Sequence, residues 1–286
     1  MRAEPEPLLE ARALHYHYDG LICALQGLDL TVRAGTKLAV LGANGAGKST
    51  LFLHLNGTLK PEHGTVWLAG ERADYSRKGL LRWRQMIGLV LQNPDDQLFA
   101  ATVEQDVSFG PLNLGLSETE VRQRVNEALC ALDIEALHDR PTHLLSYGQR
   151  KRVAIAGAVA MRPRLLILDE PAAGLDPQGV ENLLTTLDEL HAAGTTLVMA
   201  THEMDLACAW ADEIAVLQGG QVIRQGTTVE VLSDERLLTK AGLRMPLVLE
   251  VGARLRTHGL WPATTALPRS RDTLLAGLTK HAMCLA

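Results

Sequence analysis

Apolar residues along this chain gather in short unbroken runs. Lys37–Leu41 reads Lys-Leu-Ala-Val-Leu, and residues 165–168 read Leu-Leu-Ile-Leu. Runs of four or five apolar residues without alternation predict strands buried on both faces, as in a parallel sheet covered by helices. Residues 87–91 and 195–200 read the same way. Residues 14–18 and 28–32 alternate instead, which predicts short strands of a separate antiparallel side sheet.

Between these runs the period becomes helical. Residues 50–56 continue as a helix directly after a glycine-rich turn, and 94–161 form a largely helical stretch. Within it, Ser117 followed by Glu120 predicts a capping box that opens a helix reaching 132. Pro177 starts a later helix and Gly194 stops it, while Gly219-Gly220 joins two strands as a hairpin. Thr227 with Glu230 predicts a second capping box, closing the main domain. The composition changes near 245, where Pro246, Pro262 and Pro268 punctuate two short helices over 247–258 and 270–281. A piece this short cannot build its own core, so it packs on the main domain or on a second copy of itself. No internal repeat or low-complexity segment appears.

Two segments carry the chemistry. Gly42-Ala43-Asn44-Gly45-Ala46-Gly47-Lys48-Ser49-Thr50 follows the first buried strand and fits G-x-x-x-x-G-K-[ST]. Glycines let successive backbone N–H groups turn inward on phosphate oxygens without a clashing Cβ. Lys48 then reaches the outer phosphates, Ser49 offers its hydroxyl to Mg²⁺, and the new helix points its positive end at the anion. The run 165–168 ends in Asp169-Glu170, two carboxylates at the carboxyl end of a central strand, where open α/β sheets bind ligands. Asp169 is placed for the Mg²⁺ shell. Glu170, on the other side of the strand direction, is placed as the base that polarises an attacking water.

A third segment, Leu145-Ser146-Tyr147-Gly148-Gln149, stands about twenty residues ahead of the two acids. With the loop and the acidic strand end it makes residues 9–232 resemble the ATP-binding subunits of ABC transporters. That resemblance implies an α/β fold: a P-loop NTPase (RecA-like) ABC ATPase core with an antiparallel β side sheet, a helical subdomain and a small C-terminal helical extension. The implied domain is 1–244, its helical subdomain about 94–161, with 245–286 as an extension that serves dimerisation. Ser146, Gly148 and Gln149 match the signature that contacts ATP held by a partner subunit, and Tyr147 departs from the glycine usual at its position. Tyr18 matches the aromatic that stacks on adenine. Gln92 matches the glutamine that senses Mg²⁺ and water, Asp176 the loop that crosses between subunits, and His202 the switch histidine that meets the γ-phosphate. Gly42, Asn44, Gly45, Gly47 and Thr50 join Lys48 and Ser49 as nucleotide contacts.

Residues 92–100 (Gln-Asn-Pro-Asp-Asp-Gln-Leu-Phe-Ala), with Thr102 to Val107 and Phe109-Gly110-Pro111 after them, resemble the energy-coupling-factor branch, most of all its cobalt or nickel importing ATPases. The resemblance implies ATP and Mg²⁺ as cofactors, a second ATPase subunit as partner in a homodimer, and separate integral membrane energy-coupling and substrate-binding subunits. It places the chain at the cytoplasmic face of the membrane. A vitamin importer of the same branch, or a soluble ABC ATPase of repair or translation, are the alternatives. The soluble proteins usually add a coiled coil between loop and signature, or a second ATPase domain, and neither is present.

Composition narrows the choice further. The chain has 286 residues, 47% hydrophobic, enough to bury one substantial core with appendages. A net charge of −5 and only 4% aromatic residues argue against a nucleic-acid surface. Arg150-Lys151-Arg152 therefore reads as a solvated helix face, or as an edge near the nucleotide. No apolar stretch approaches the ~18 residues of a membrane span, and Met1 to Pro7 lacks the apolar core of a signal peptide, so a soluble subunit is expected. Cys23, Cys130, Cys208 and Cys284 show no paired spacing and read as reduced thiols. His15 and His17 share a strand face, and ordinary alternation accounts for them.

Overall fold

The computed structural model describes residues 7–285, with side chains described as far as residue 279. Met1 to Glu6 and the Cys284 thiol lie outside that description. The first two strands, β1 (Pro7–Tyr18) and β2 (Ile22–Arg33), are antiparallel. They pair with β4 (His63–Leu68) and β5 (Glu71–Arg72) in the order β2-β1-β4-β5. This is the expected side sheet, built from strands longer than 14–18 and 28–32 because backbone pairing continues past the apolar alternation. Irregularities in register at Leu14/His15 and Tyr16/His17 interrupt that alternation. His15 stacks edge-on to His63, and His17 pairs with Glu62 at 2.8 Å.

The central sheet is formed by β3 (Lys37–Leu41), β6 (Ile87–Val90), β7 (Leu165–Asp169), β8 (Thr196–Ala200), β9 (Glu213–Gln218) and β10 (Gln221–Thr227). Its order is β10-β9-β3-β8-β7-β6, parallel except for the β9–β10 hairpin. Every residue of β7 and β8 is buried. Leu165 and Ile167 point into one apolar layer, with β1, β2 and the helix after the loop, while Leu166 and Leu168 point into the other. Such two-sided burial explains the unbroken apolar runs, each fully buried leucine contributing about 2 kcal/mol.

Helix α1 (Lys48–Leu55) opens at the glycine loop, and α2 (Arg77–Met86) leads into β6. Helices α3 (Val103–Asn113), α4 (Glu118–Ala131) and α5 (Tyr147–Ala160) pack together as the helical stretch expected over 94–161. Next come α6 (Pro177–Ala192), α7 (Met204–Trp210), α8 (Thr228–Leu232) and α9 (Glu235–Lys240). The chain closes with α10 (Leu247–Thr257) and α11 (Arg271–Leu285). Leu249 is fully buried in the apolar cluster that also holds Cys208, Val231 and Leu238, and Arg269 Nε donates to Cys208 O at 2.8 Å, so the last segment docks on its own domain.

The capping boxes fall elsewhere than expected. Ser117 Oγ accepts from Glu120 N at 3.3 Å, but the Glu120 carboxylate pairs with Arg124 one turn on. Thr227 makes no side-chain cap, and Glu230 pairs with Arg224. In each case a nearby guanidinium outcompetes a neutral backbone N–H for the carboxylate. The complete box stands at the start of α5: Ser146 Oγ accepts from Gln149 N, and Gln149 Oε1 accepts from Ser146 N. Its spacing, Ser-x-x-Gln, was legible in the sequence.

Candidate functional site

The carboxyl ends of β3, β8 and β7 lie side by side, β8 between the other two. Each delivers one part of the site: the glycine loop after β3, His202 after β8, and Asp169-Glu170 at β7. Gly42 has no space for a side chain, since a Cβ there would stand 2.5 Å from Leu217 O. Gly47 has φ +106°, and its Cβ would stand 2.6 Å from Ala24 O. Both glycines are required by close backbone approach as well as by the turn.

Lys48 is nearly buried and donates to Gly42 O at 2.8 Å and Ala43 O at 3.2 Å, which folds its ammonium back over the loop. Ser49 Oγ donates to Asp169 Oδ2 at 2.6 Å. The Tyr18 hydroxyl stands 3.3 Å from Thr50 Oγ1, so the side sheet reaches the start of α1. Tyr18, Lys48, Ser49, Thr50 and Asp169, with Asn44, Gly45, Gly47, Gln92 and Glu170, line one cavity of about 420 Å³, and Gly42 is not part of its lining. That size suits a nucleotide-scale ligand.

Glu170 departs from the expected strand continuation. Its φ is +47°, in the left-handed region that a glutamate adopts at a cost of about 1–2 kcal/mol. Its N–H donates to Ala200 O at 3.1 Å, and the turn brings its carboxylate into the same cavity as Asp169 rather than to the opposite side. There, buried, it accepts from Nδ1–H of the more exposed His202 at 2.8 Å.

Ser146, Gly148, Gln149 and Asp176 do not join this cavity. They line a second one, of about 540 Å³, between the start of α5 and the loop before α6. Asp176 caps α6 there, its Oδ1 accepting from Gly179 N at 2.7 Å. The expected site residues thus form two groups within one chain, the loop and acids in the first and the signature in the second.

Of the two readings of Arg150-Lys151-Arg152, a solvated face or an edge near the nucleotide, Lys151 does not fit the first: it is fully buried on α5 and donates to Gln92 O at 2.6 Å and Leu91 O at 3.2 Å, next to the cavity that Gln92 lines. Burial pushes its ammonium down to about 8, although the charges of Asp169 and Glu170 pull the other way. A signal was present: Ala154, Ile155 and Ala158 follow Lys151 at helical spacing and mark its face as the inner one.

A glycine loop opening a helix, with paired carboxylates at a parallel strand end two strands away, defines a P-loop nucleotide-binding protein. The ABC transporter family model matches residues 25–173, and the chain belongs to the ABC transporter family of ATP-binding proteins. The cobalt import ATP-binding protein CbiO of Rhodobacter capsulatus is 58% identical over 279 residues, 96% of this chain and 99% of that one. The energy-coupling factor transporter ATP-binding protein EcfA of Methanococcus maripaludis is 48% identical over 241 residues, 84% and 87% of the two chains. Among solved structures, cbiO1 of Clostridium perfringens, described as part of the transporter complex cbiONQ, superposes with a TM-score of 0.73 at 45% identity, covering 88% of this chain and 99% of that one. A dimeric cassette, MJ0796 bound to ADP and Pi, superposes with a TM-score of 0.70 at 28% identity, covering 77% and 98%. The chain is therefore an ATP-binding subunit of the ABC type, and its fold is the ABC cassette. Among the described residues no helix is long and apolar enough to cross a membrane.

Proposed function

We propose that this chain is the ATP-hydrolysing subunit of an energy-coupling-factor importer whose cargo is the cobalt ion, with nickel as the nearest alternative. The observation that carries the hydrolytic part is one cavity lined by the glycine loop, Asp169 and Glu170, with His202 bonded to Glu170. The cargo rests on the likeness to the Rhodobacter cobalt import protein along nearly the whole chain.

In this reading Tyr18 stacks on adenine, and the N–H groups around Gly45 and Gly47 close on the phosphates. Lys48 leaves the loop carbonyls to neutralise the outer ones. The Ser49 and Asp169 oxygens, already 2.6 Å apart, are the hard-donor pair that suits Mg²⁺, and Gln92 in the same cavity completes the set. Bound Mg²⁺ would supply charge neutralisation on the phosphate oxygens. Glu170 orients a water and accepts its proton as the water oxygen bonds to the γ-phosphorus and the bridging bond to ADP breaks. His202 fixes the carboxylate and offers its remaining ring nitrogen towards the phosphate side.

The second cavity is the half-site for a partner's nucleotide. Ser146 Oγ accepts a bond from its helix, which leaves its O–H to donate to a phosphate together with the N–H groups around Gly148 and Gln149 at the positive end of α5. Asp176 lies on the loop that faces the partner. Residues 1–244 act as the ATPase domain, with about 94–161 as its helical subdomain. The extension 245–286, which leaves Leu247 and Leu275 exposed, holds two copies together. Integral membrane subunits for energy coupling and substrate binding complete the importer, with this chain at their cytoplasmic face.

The test is purification of the tagged chain from membranes with mass spectrometry of what accompanies it, followed by cobalt and nickel uptake in vesicles with ATP on the chain's side. Copurified membrane subunits and ATP-dependent cobalt uptake support the reading. A chain that brings no membrane subunit with it, or uptake of neither ion, refutes it.

A further inference from the structure

Two donors of α5, one turn apart, converge on a single backbone carbonyl. Tyr147 Oη donates to Gln92 O at 3.3 Å and Lys151 Nζ donates to the same oxygen at 2.6 Å. A carbonyl oxygen has two lone pairs, and both are engaged. Gln97 adds to the tie, since its Oε1 accepts from Leu91 N at 2.9 Å and its Nε2 donates to Ala154 O of α5 at 3.2 Å. The Gln92 backbone is thus tied to α5 at its carbonyl and, through Gln97, at the preceding residue.

The Tyr147 ring also reaches a third segment. A Cβ built on Gly174 would stand 2.6 Å from Tyr147 Cε1, so the ring fills the space that a side chain there would take. Gly174 has φ +76° and begins the turn that leads to Asp176. The position where a smaller residue would leave a gap is therefore occupied by a ring that touches two loops at once.

We propose that Tyr147 and Lys151 are positioning residues that join the signature end of α5, the Gln92 carbonyl and the Gly174 turn into one unit. A displacement of Ser146 on engaging a partner's nucleotide is then transmitted to Gln92 in this chain's own nucleotide cavity. The inference rests on the roles proposed above for Gln92 and Ser146. It predicts that loosening the tie lowers turnover while nucleotide affinity, assigned in the proposed function to Lys48 and Tyr18, stays unchanged.

The test uses the full chain carrying Tyr147→Phe, Lys151→Met, Lys151→Arg or the double change Tyr147→Phe/Lys151→Met. Expected are a fall in kcat of roughly threefold for Tyr147→Phe and roughly 10- to 30-fold for Lys151→Met, with KM for ATP within about twofold of native. Lys151→Arg should restore much of kcat, because it keeps a donor, and the double variant should be no worse than the product of the singles. Gly174→Ala should lower kcat about fivefold more in the native background than in Tyr147→Ala, since strain from its φ is common to both and only the ring contact differs. Amide exchange over 91–97 in the nucleotide-free chain should quicken in Tyr147→Phe and Lys151→Met. Native kcat and native exchange in Tyr147→Phe and Lys151→Met overturn the tie, and so does a rise in KM at constant kcat. If Lys151→Met does not fold, Tyr147→Phe and the Gly174 comparison decide. Failure of the hydrolytic reading looks different: Glu170→Gln would then keep native turnover, and exchange over 91–97 would still judge the tie.

Discussion

His202 donates from Nδ1 to the buried Oε2 of Glu170 at 2.8 Å, joining residues 32 positions apart at the ends of neighbouring strands β7 and β8. The bond holds a carboxylate that a left-handed backbone has already turned towards the glycine loop. Glu170→Gln keeps the shape and removes the proposed base, so ATP binding should persist while turnover falls by roughly 10²- to 10⁴-fold. An ATP-dependent dimer should accumulate. Near-native hydrolysis by the purified variant would remove Glu170 from the role of base.

Lys48 and Ser146 lie in separate cavities of the same chain, and this makes a complementation test possible. Lys48→Ala should lose nucleotide affinity, because the phosphates lose their fixed cation. Ser146→Arg should spoil only the half-site offered to a partner. Mixed dimers of the two variants keep one intact composite site, so partial hydrolysis should return on mixing. If verified heterodimers stay as inactive as either parent, the head-to-tail arrangement is wrong.

The final helices dock on their own domain through Leu249 and Arg269, yet Leu247, Leu275 and Leu278 remain exposed. Truncation after Arg244 should give a nucleotide-free monomer that dimerises only with ATP, as read by light scattering. Leu275→Glu, on the outer surface, should weaken the nucleotide-free dimer without changing the melting temperature of the chain. A truncated chain and a Leu275→Glu chain as dimeric as the native protein would assign the extension to packing on its own domain alone.

His54 lies fully buried in α1, its Nδ1–H donating to Thr50 O at 2.8 Å, and stacks against Tyr16. Burial holds its pKa below the ordinary 6.5, against the smaller opposite effect of the Thr50 bond. The unfolded chain therefore binds this proton more readily than the folded one. Stability is complete above about pH 6.5 and falls as the pH drops below it. Urea midpoints measured from pH 7.5 to 5 should decline, and His54→Leu should flatten that decline. Parallel slopes for the two proteins would show that other groups set it.

Much of the site was legible because it is written in contiguous residues. The loop from Gly42 to Thr50, the apolar run ending in Asp169-Glu170 and the Ser146–Gln149 segment each have a local cause: glycine freedom, two-sided burial or a helix cap. The same causes made Lys37–Leu41, the hairpin at Gly219-Gly220 and the Pro177 helix start readable. Helix caps were less so, since Glu120 and Glu230 each had two candidate partners at short range and only the three-dimensional arrangement shows that Arg124 and Arg224 prevail.

The sequence by itself determined the class of chemistry, a phosphate-binding loop with two acids at a strand end, because short-range backbone geometry dictates those patterns. Tertiary structure decided which ends meet. The strand order β3-β8-β7 sets His202 between loop and acids, and the side sheet carries Tyr18 to Thr50. The packing of α5 under β6 buries Lys151 against Gln92 O and lays the Tyr147 ring on Gly174. These contacts join residues tens of positions apart, and their energies depend on burial and on competing partners that exist only once the layers have closed.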